Sequence, residues 1–216
     1  MWLTYLIVKK YKEIRIKSFT INTNSYLDRK VKGYYNCNYV GYQQKGNPDF
    51  INRLKNMSKS HNEMDLVEDF IEVADRAKKD LKQIIETEGL CNPVICVAPR
   101  LKAEKSYLPC QLMFKKAISS VVNNIDATNG IDSIKRIKDT KTTHNWRLEH
   151  NTGDMPYKGI TKNTCEINKN LIFGRDIILV DNIYTDGVFV AEDCIQTLFD
   201  FGAKSVTLYV IAKTRS

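Results

Sequence analysis

Asp176-Ile-Ile-Leu-Val-Asp-Asn-Ile-Tyr-Thr-Asp-Gly-Val-Phe-Val-Ala-Glu-Asp-Cys-Ile-Gln-Thr-Leu-Phe-Asp-Phe-Gly-Ala203 is the stretch that decides the fold. The apolar run Ile177 to Val180 carries no charge, as a parallel strand buried on both faces requires. It is expected to stop at the carboxylate of Asp181. Thr185, Asp186 and Gly187 mark a turn. Val190, Ala191, Cys194, Ile195, Leu198 and Phe199 then recur at helical spacing, and Gly202 signals the stop. A strand, an acidic turn with glycine and a helix together make an anion site, because unpaired N–H groups and the positive end of the helix point at one spot.

The same alternation extends upstream. Pro93 to Ala98 reads as a strand and Ser205 to Ile211 as the last one. Asp49 to Met57 predicts a short helix. A longer helix is expected over Glu63 to Glu88, with Leu66, Val67, Phe70, Ile71, Ala74, Ala77, Leu81, Ile84 and Ile85 as its apolar stripe, Lys78, Lys79 and Lys82 in water, and Gly89 as its stop. Tyr107 to Val122 predicts another helix, entered near Pro109. Strands alternating with helices imply an α/β protein with a parallel central sheet flanked by helices. Residues 2–8, residues 11–16 and Tyr34 to Tyr42 read as strands, and Gly46-Asn47-Pro48 as turn punctuation. Two domains are therefore expected: a β-rich cap over residues 1–48 and an α/β domain over residues 49–216.

The stretch Asp181–Phe189 resembles the signature of type I phosphoribosyltransferases: four hydrophobic residues, two acidic positions and a Thr/Gly-rich turn. Tyr184-Thr185 makes it most similar to the ComF-type branch. The resemblance implies a type I phosphoribosyltransferase-like fold, with residues 1–48 as a hood over the second substrate. It also implies binding of phosphoribosyl pyrophosphate (PRPP) with magnesium as cofactor, no side chain being assigned as a metal ligand. By position, Asp181 and Asn182 would hold the ribose hydroxyls. Tyr184, Thr185, Asp186, Gly187, Val188 and Phe189 would make the phosphate-binding turn. Three residues depart from the family pattern. Asn182 replaces the second carboxylate, keeping hydrogen bonds but no charge. Phe189 replaces a hydroxyl residue. Asp186 brings a carboxylate into the turn; at about 4 Å from a phosphate it would cost roughly 1 kcal/mol in water and about 4 kcal/mol at an effective dielectric of 20.

The strand ending at Ala98 leads into Pro99-Arg100-Leu101-Lys102-Ala103-Glu104-Lys105-Ser106-Tyr107. Ligands of open α/β sheets bind beyond the carboxyl ends of strands. Arg100 suits bidentate phosphate binding, with Lys102 and Lys105 adding point charge. In the family, the equivalent loop grips pyrophosphate. The connector from about Asn129 to Asn170 contains Ile134-Lys135-Arg136-Ile137-Lys138-Asp139-Thr140-Lys141-Thr142, which is similar to the ComF-type segment leading into a catalytic lid, here expected over about residues 135–160. Asp181, Arg100 and Lys138 are the catalytic candidates. Lys141 and Arg147 are further lid cations, and His144, Trp146 and His150 lie among them, suited to stacking on a base or to packing the lid onto the domain.

The chain has 216 residues with a formal net charge of +8. Between Arg100 and His150, ten Lys/Arg face five acids. This implies either a solvated basic surface or a phosphate-rich partner: nucleotide, pyrophosphate or nucleic acid. Met1 to Val8 is apolar but too short to span a bilayer, and its lysines follow rather than precede it, unlike a secretory signal. The six cysteines form no zinc-like double pair; Cys96 and Cys194 read as core thiols, and a reducing cytoplasmic setting is expected. Besides a plain nucleic-acid-binding protein that uses the basic surface with the fold as scaffold, which no helix-turn-helix or zinc-finger pattern supports, two functional readings stand. One is a phosphoribosyltransferase, or a relative that binds a ribose-phosphate nucleotide or cleaves an N-glycosidic bond. The other, implied by relatives of this fold that lost catalysis, is a regulatory or effector subunit of a bacterial antiviral defence complex of the retron type, with a nucleic-acid or protein partner.

Overall fold

A computed structural model describes residues 16–55, 62–141 and 153–215. The chain folds as an α/β protein around a six-stranded, mostly parallel sheet. Its elements in chain order are β1 (Lys17–Ile21), β2 (Val31–Tyr39), α1 (Asp49–Lys55), α2 (Glu63–Glu88), β3 (Val94–Val97), α3 (Met113–Val122), β4 (Thr128–Asn129), β5 (Ile134–Arg136), α4 (Ile160–Thr164), β6 (Cys165–Ile167), α5 (Lys169–Ile172), β7 (Asp176–Tyr184), α6 (Val190–Asp200) and β8 (Ser205–Thr214). Two 3₁₀ turns, Glu104–Ser106 and Pro109–Leu112, lie between β3 and α3.

The sheet order is β1-β2-β8-β7-β3-β4, with only β1 antiparallel to its neighbour. Side chains alternate between two cores, as the period of two demands. Ile95, Val97, Ile178, Val180, Tyr209 and Ile211 pack with α1, α2 and α3. Val94, Cys96, Ile177, Leu179, Leu208 and Val210 pack with α6 and with Ile134 and Cys165 of a separate two-stranded ribbon, β5–β6. Cys96 and Cys194 are buried thiols, and burial raises the pKa of both.

Three expectations change. β7 does not stop at Asp181 but runs to Tyr184, because Asp181, Ile183 and Tyr184 keep pairing with Val210, Ala212 and Lys213 of β8. β2 pairs in parallel with β8, so residues 17–39 extend the central sheet instead of forming a separate cap, and position 48 divides no layer. The strands expected over residues 2–8 and most of 11–16 lie outside the described residues. The expected stripe on α2 is also rotated. Val67 and Ile71 are exposed, while Asp69, Val73 and Asp80 face inward. The two inward carboxylates are held by partners: Arg53 Nε donates to Asp69 (2.8 Å), and Tyr209 Oη and Asn36 Nδ2 donate to Asp80 (2.8 Å each). An apolar count cannot see an acid that is buried with its partner. The long connector carries structure of its own, with a basic strand at Ile134–Arg136 as the sequence led one to expect. β5 pairs with β6, Thr140 bridges Asp154, and Lys141 N donates to Asp154 O (2.9 Å).

Candidate functional site

The strand order reverses between β3 and β7. From β3 the chain passes through α3 to β4 on one flank; from β7 it passes through α6 to β8 on the other. Beyond the carboxyl ends of two strands so arranged, the connections diverge and leave a crevice. Here that crevice is a cleft of about 290 Å³. One wall is the loop after β3, from Ala98 through Lys102. The second is the end of β7 with the start of α6: Asp181, Asn182, Ile183, Val188 and Val190. Leu54, Leu112 and Phe114 form an apolar side, and Ile134 and Arg136 of β5 contribute the rest.

The loop after β3 is held at both ends. Ala98 N donates to Val180 O (2.9 Å). Thr140 donates to Leu101 O through its backbone N (2.8 Å) and its hydroxyl (2.8 Å), and Ala103 N donates to Asp139 Oδ1 (2.8 Å). The Arg100 guanidinium lies over the Tyr107 ring, 4.2 Å from its centroid, and donates to the carbonyl of Gln111. Burial lowers the Arg100 pKa, with Tyr107 partly opposing it. Lys102 lines the cleft half-buried, and its N–H donates to Tyr107 Oη (3.0 Å). Lys105 sits in the first 3₁₀ turn, exposed and away from the cleft.

Of the expected ribose-phosphate residues, Asp181, Asn182 and Val188 line the cleft; Asp181 Oδ1 accepts Asn182 N (2.7 Å). Thr185, Asp186, Gly187 and Phe189 do not line it. Tyr184 corrects the expectation most clearly: it is buried, and its hydroxyl donates to Glu192 Oε1 (2.8 Å). Asp186 turns its carboxylate to Lys213 Nζ, 2.6 Å away, so the turn carries an ion pair where the sequence shows a bare acid. Phe189 precedes α6 with φ 60°, no side chain capping the helix, and its ring stacks on Tyr26 (5.0 Å, 6° between planes). Lys138 is exposed and outside the cleft lining. His144, Trp146, Arg147 and His150 lie outside the described residues.

Three residues at or beside the cleft were not singled out in the sequence. Arg136 is buried, at 3% exposure, on the inward phase of β5; the alternation Ile134 in, Lys135 out, Arg136 in carried that signal. Glu192 is buried in the first turn of α6, where desolvation raises its pKa against the lowering effect of the Tyr184 hydroxyl, and its Oε2 has no hydrogen-bond partner. Asp193 accepts Gly159 N (2.5 Å) and Thr161 N (2.8 Å), fastening the start of α4 to α6. The basic middle of the chain is partly consumed internally: Lys115 pairs with Glu104 (2.8 Å) and Asp132 (2.6 Å), and Arg136 is inside. Among the described residues, no helix is long and apolar enough to cross a membrane. No protein-family model matches this chain, and no curated protein matches it.

Proposed function

We propose that this chain is a type I phosphoribosyltransferase-like protein whose cleft binds PRPP or another ribose-phosphate nucleotide. The observation that supports this reading best is a convergence. Two segments more than seventy residues apart in sequence, the loop bearing Arg100 and Lys102 and the β7 end bearing Asp181 and Asn182, meet in one cleft at the reversal of strand order. One segment is cationic and the other acidic, which suits a ligand with phosphates at one end and ribose hydroxyls at the other.

In this reading Asp181 and Asn182 bind the ribose hydroxyls, the 5′-phosphate extends from the cleft past Val188 toward the turn before α6, and Arg100 and Lys102 face pyrophosphate. In transfer, the bond from ribose C1 to pyrophosphate breaks with its electron pair leaving on pyrophosphate. A nitrogen lone pair forms the new bond and the nitrogen sheds its proton. Asp181 places negative charge near the cationic C1. Among the described residues, no three His, Cys, Asp or Glu groups gather to hold a metal. Asp181 is the carboxylate lining the cleft that would hold magnesium together with the ligand's own phosphates. Bound there, the ion neutralises charge on the leaving group.

Calorimetry with PRPP and magnesium tests the reading. Micromolar binding that disappears in Asp181→Ala, with the circular dichroism spectrum unchanged, is the expected result. No heat at millimolar PRPP refutes it. The stacking of Phe189 on Tyr26 favours a second reading, binding without transfer, in a regulatory or effector subunit of a defence complex. There the closing residue of the turn serves packing against the N-terminal segment. Pyrophosphate release in single-turnover assays with nitrogen nucleophiles separates the two.

A further inference from the structure

We propose that Arg136 is the anion anchor of the cleft: its buried guanidinium takes a phosphate oxyanion of the ligand. The inference rests on the cleft reading above and adds to it a residue from β5, which neither the loop after β3 nor the turn before α6 contains.

Two independent observations carry it. Arg136 is among the most buried charged residues of the chain, at 3% exposure, yet it lines the cleft. In addition, among the described residues no carboxylate lies within ion-pair distance of it; every salt bridge there joins other residues. Its hydrogen bonds go to neutral oxygens. Nε donates to Arg100 O (2.6 Å), and Nη1 donates to Thr164 Oγ1. A guanidinium has five N–H donors, so these two bonds leave capacity unspent.

A cation taken out of water without a counter-charge is heavily penalised. Among the other buried charges, Asp69 has a counter-charge in Arg53, whereas Asp80 is held by the neutral donors Tyr209 and Asn36 and Asp193 by backbone N–H groups. Among the described residues Arg136 has no counter-charge of the kind Arg53 gives Asp69, and the open side it presents is the cleft. An anion entering there supplies the missing charge, and the planar fork of the guanidinium matches two phosphate oxygens. The Nε bond fixes the fork's orientation relative to the loop bearing Arg100. Charge, geometry and access thus select a phosphate or pyrophosphate group over a neutral ligand.

Inorganic pyrophosphate is the probe, added at ionic strength held constant with KCl. The wild-type unfolding midpoint is expected to rise saturably, by roughly 5–10 °C at a hundredfold excess over Kd. Arg136→Gln, with an unchanged far-ultraviolet spectrum, is expected to lose the rise, and Arg136→Lys to keep only part of it. A wild type indifferent to pyrophosphate, or an Arg136→Gln protein that responds like wild type, overturns the proposal. Should Arg136→Gln fail to fold, the ¹⁵Nε–H resonance of Arg136 in wild type decides. Its movement on titration supports the anchor, and its standing still while backbone signals of the cleft move overturns it. PRPP failing to bind while the Arg136-dependent pyrophosphate response persists refutes the ribose-phosphate reading alone. PRPP binding that needs Asp181 but is indifferent to Arg136→Gln refutes the anchor alone.

Discussion

Replacing Asp186 with Thr measures how far one ion pair has disarmed an acid in an anion-binding turn. In sequence, the acid threatens a phosphate with about 1–4 kcal/mol of repulsion. In the structure its carboxylate is 2.6 Å from Lys213 Nζ, and its side chain is 55% exposed. Pairing cancels most of the charge and water screens the rest, so only the lower end survives: about 1 kcal/mol, or roughly a fivefold change in affinity. Asp186→Thr is therefore expected to tighten PRPP binding by about fivefold or less. The pair is partly exposed, so folding stability should change by about 1 kcal/mol or less. Lys213→Met is the sharper perturbation. Lys213 is 13% exposed and its ammonium lies over the Phe19 and Tyr184 rings, 5.4 and 5.7 Å from their centroids. Met keeps the packing and uncovers the acid, so affinity should fall by between about fivefold and several hundredfold. The double variant should return close to Asp186→Thr. Calorimetry at fixed ionic strength, with urea unfolding alongside, makes all three measurements. A gain above about fiftyfold in Asp186→Thr, or an unchanged affinity in Lys213→Met, would refute the shielding argument.

Gly130→Ala places a Cβ 2.4 Å from Val94 Cγ1 and 3.1 Å from Cys96 Sγ; overpacking there should cost about 1–3 kcal/mol in urea unfolding. Tyr26→Ala removes the stack on Phe189 and is expected to destabilise by about 1 kcal/mol beyond the lost buried area. Phe189→Gly loses that stack but relieves a left-handed φ of 60°, so its net change should be smaller than that of Tyr26→Ala. Glu192 holds its proton to a higher pH in the folded chain because it is buried. Its contribution is fully present below the unfolded pKa and is lost as pH rises through the raised folded one. Glu192→Gln should therefore flatten the decline in urea midpoint from pH 4.5 upward; a decline identical to wild type would show that Glu192 is not its source.

The central strands were legible because β3 and the Ile177–Val180 part of β7 are uncharged runs with only one use, and α2 because Gly89 stops it where its pattern ends. The ends of the strands were not. Asp181 and Asn182 look like loop residues, yet main-chain pairing to β8 carries the strand through them whatever their side chains prefer. The parallel pairing of β2 with β8 joins residues far apart in sequence and leaves no local trace. That Arg100 and Asp181 come together in one cleft was legible, because position along a strand decides it. The site was illegible where direction decides. Tyr184 points to Glu192, Asp186 to Lys213 and Arg136 inward, and each direction follows from a partner that the motif does not contain.

The bond from Lys141 N to Asp154 O has a consequence for how this protein can change. Lys141 and Gly153 lie side by side, and Gly153's lack of a Cβ lets it pass Asp139 O, 2.4 Å from where that carbon would sit. Both posts are tied to the body, through Leu101 and through the Asp193 clamp on α4. With exit and re-entry fixed side by side, doubling the length of what runs between them costs only about 0.6 kcal/mol of closure entropy. Evolution or an engineer can thus lengthen or exchange the sequence between these two posts while the sheet beneath keeps its register.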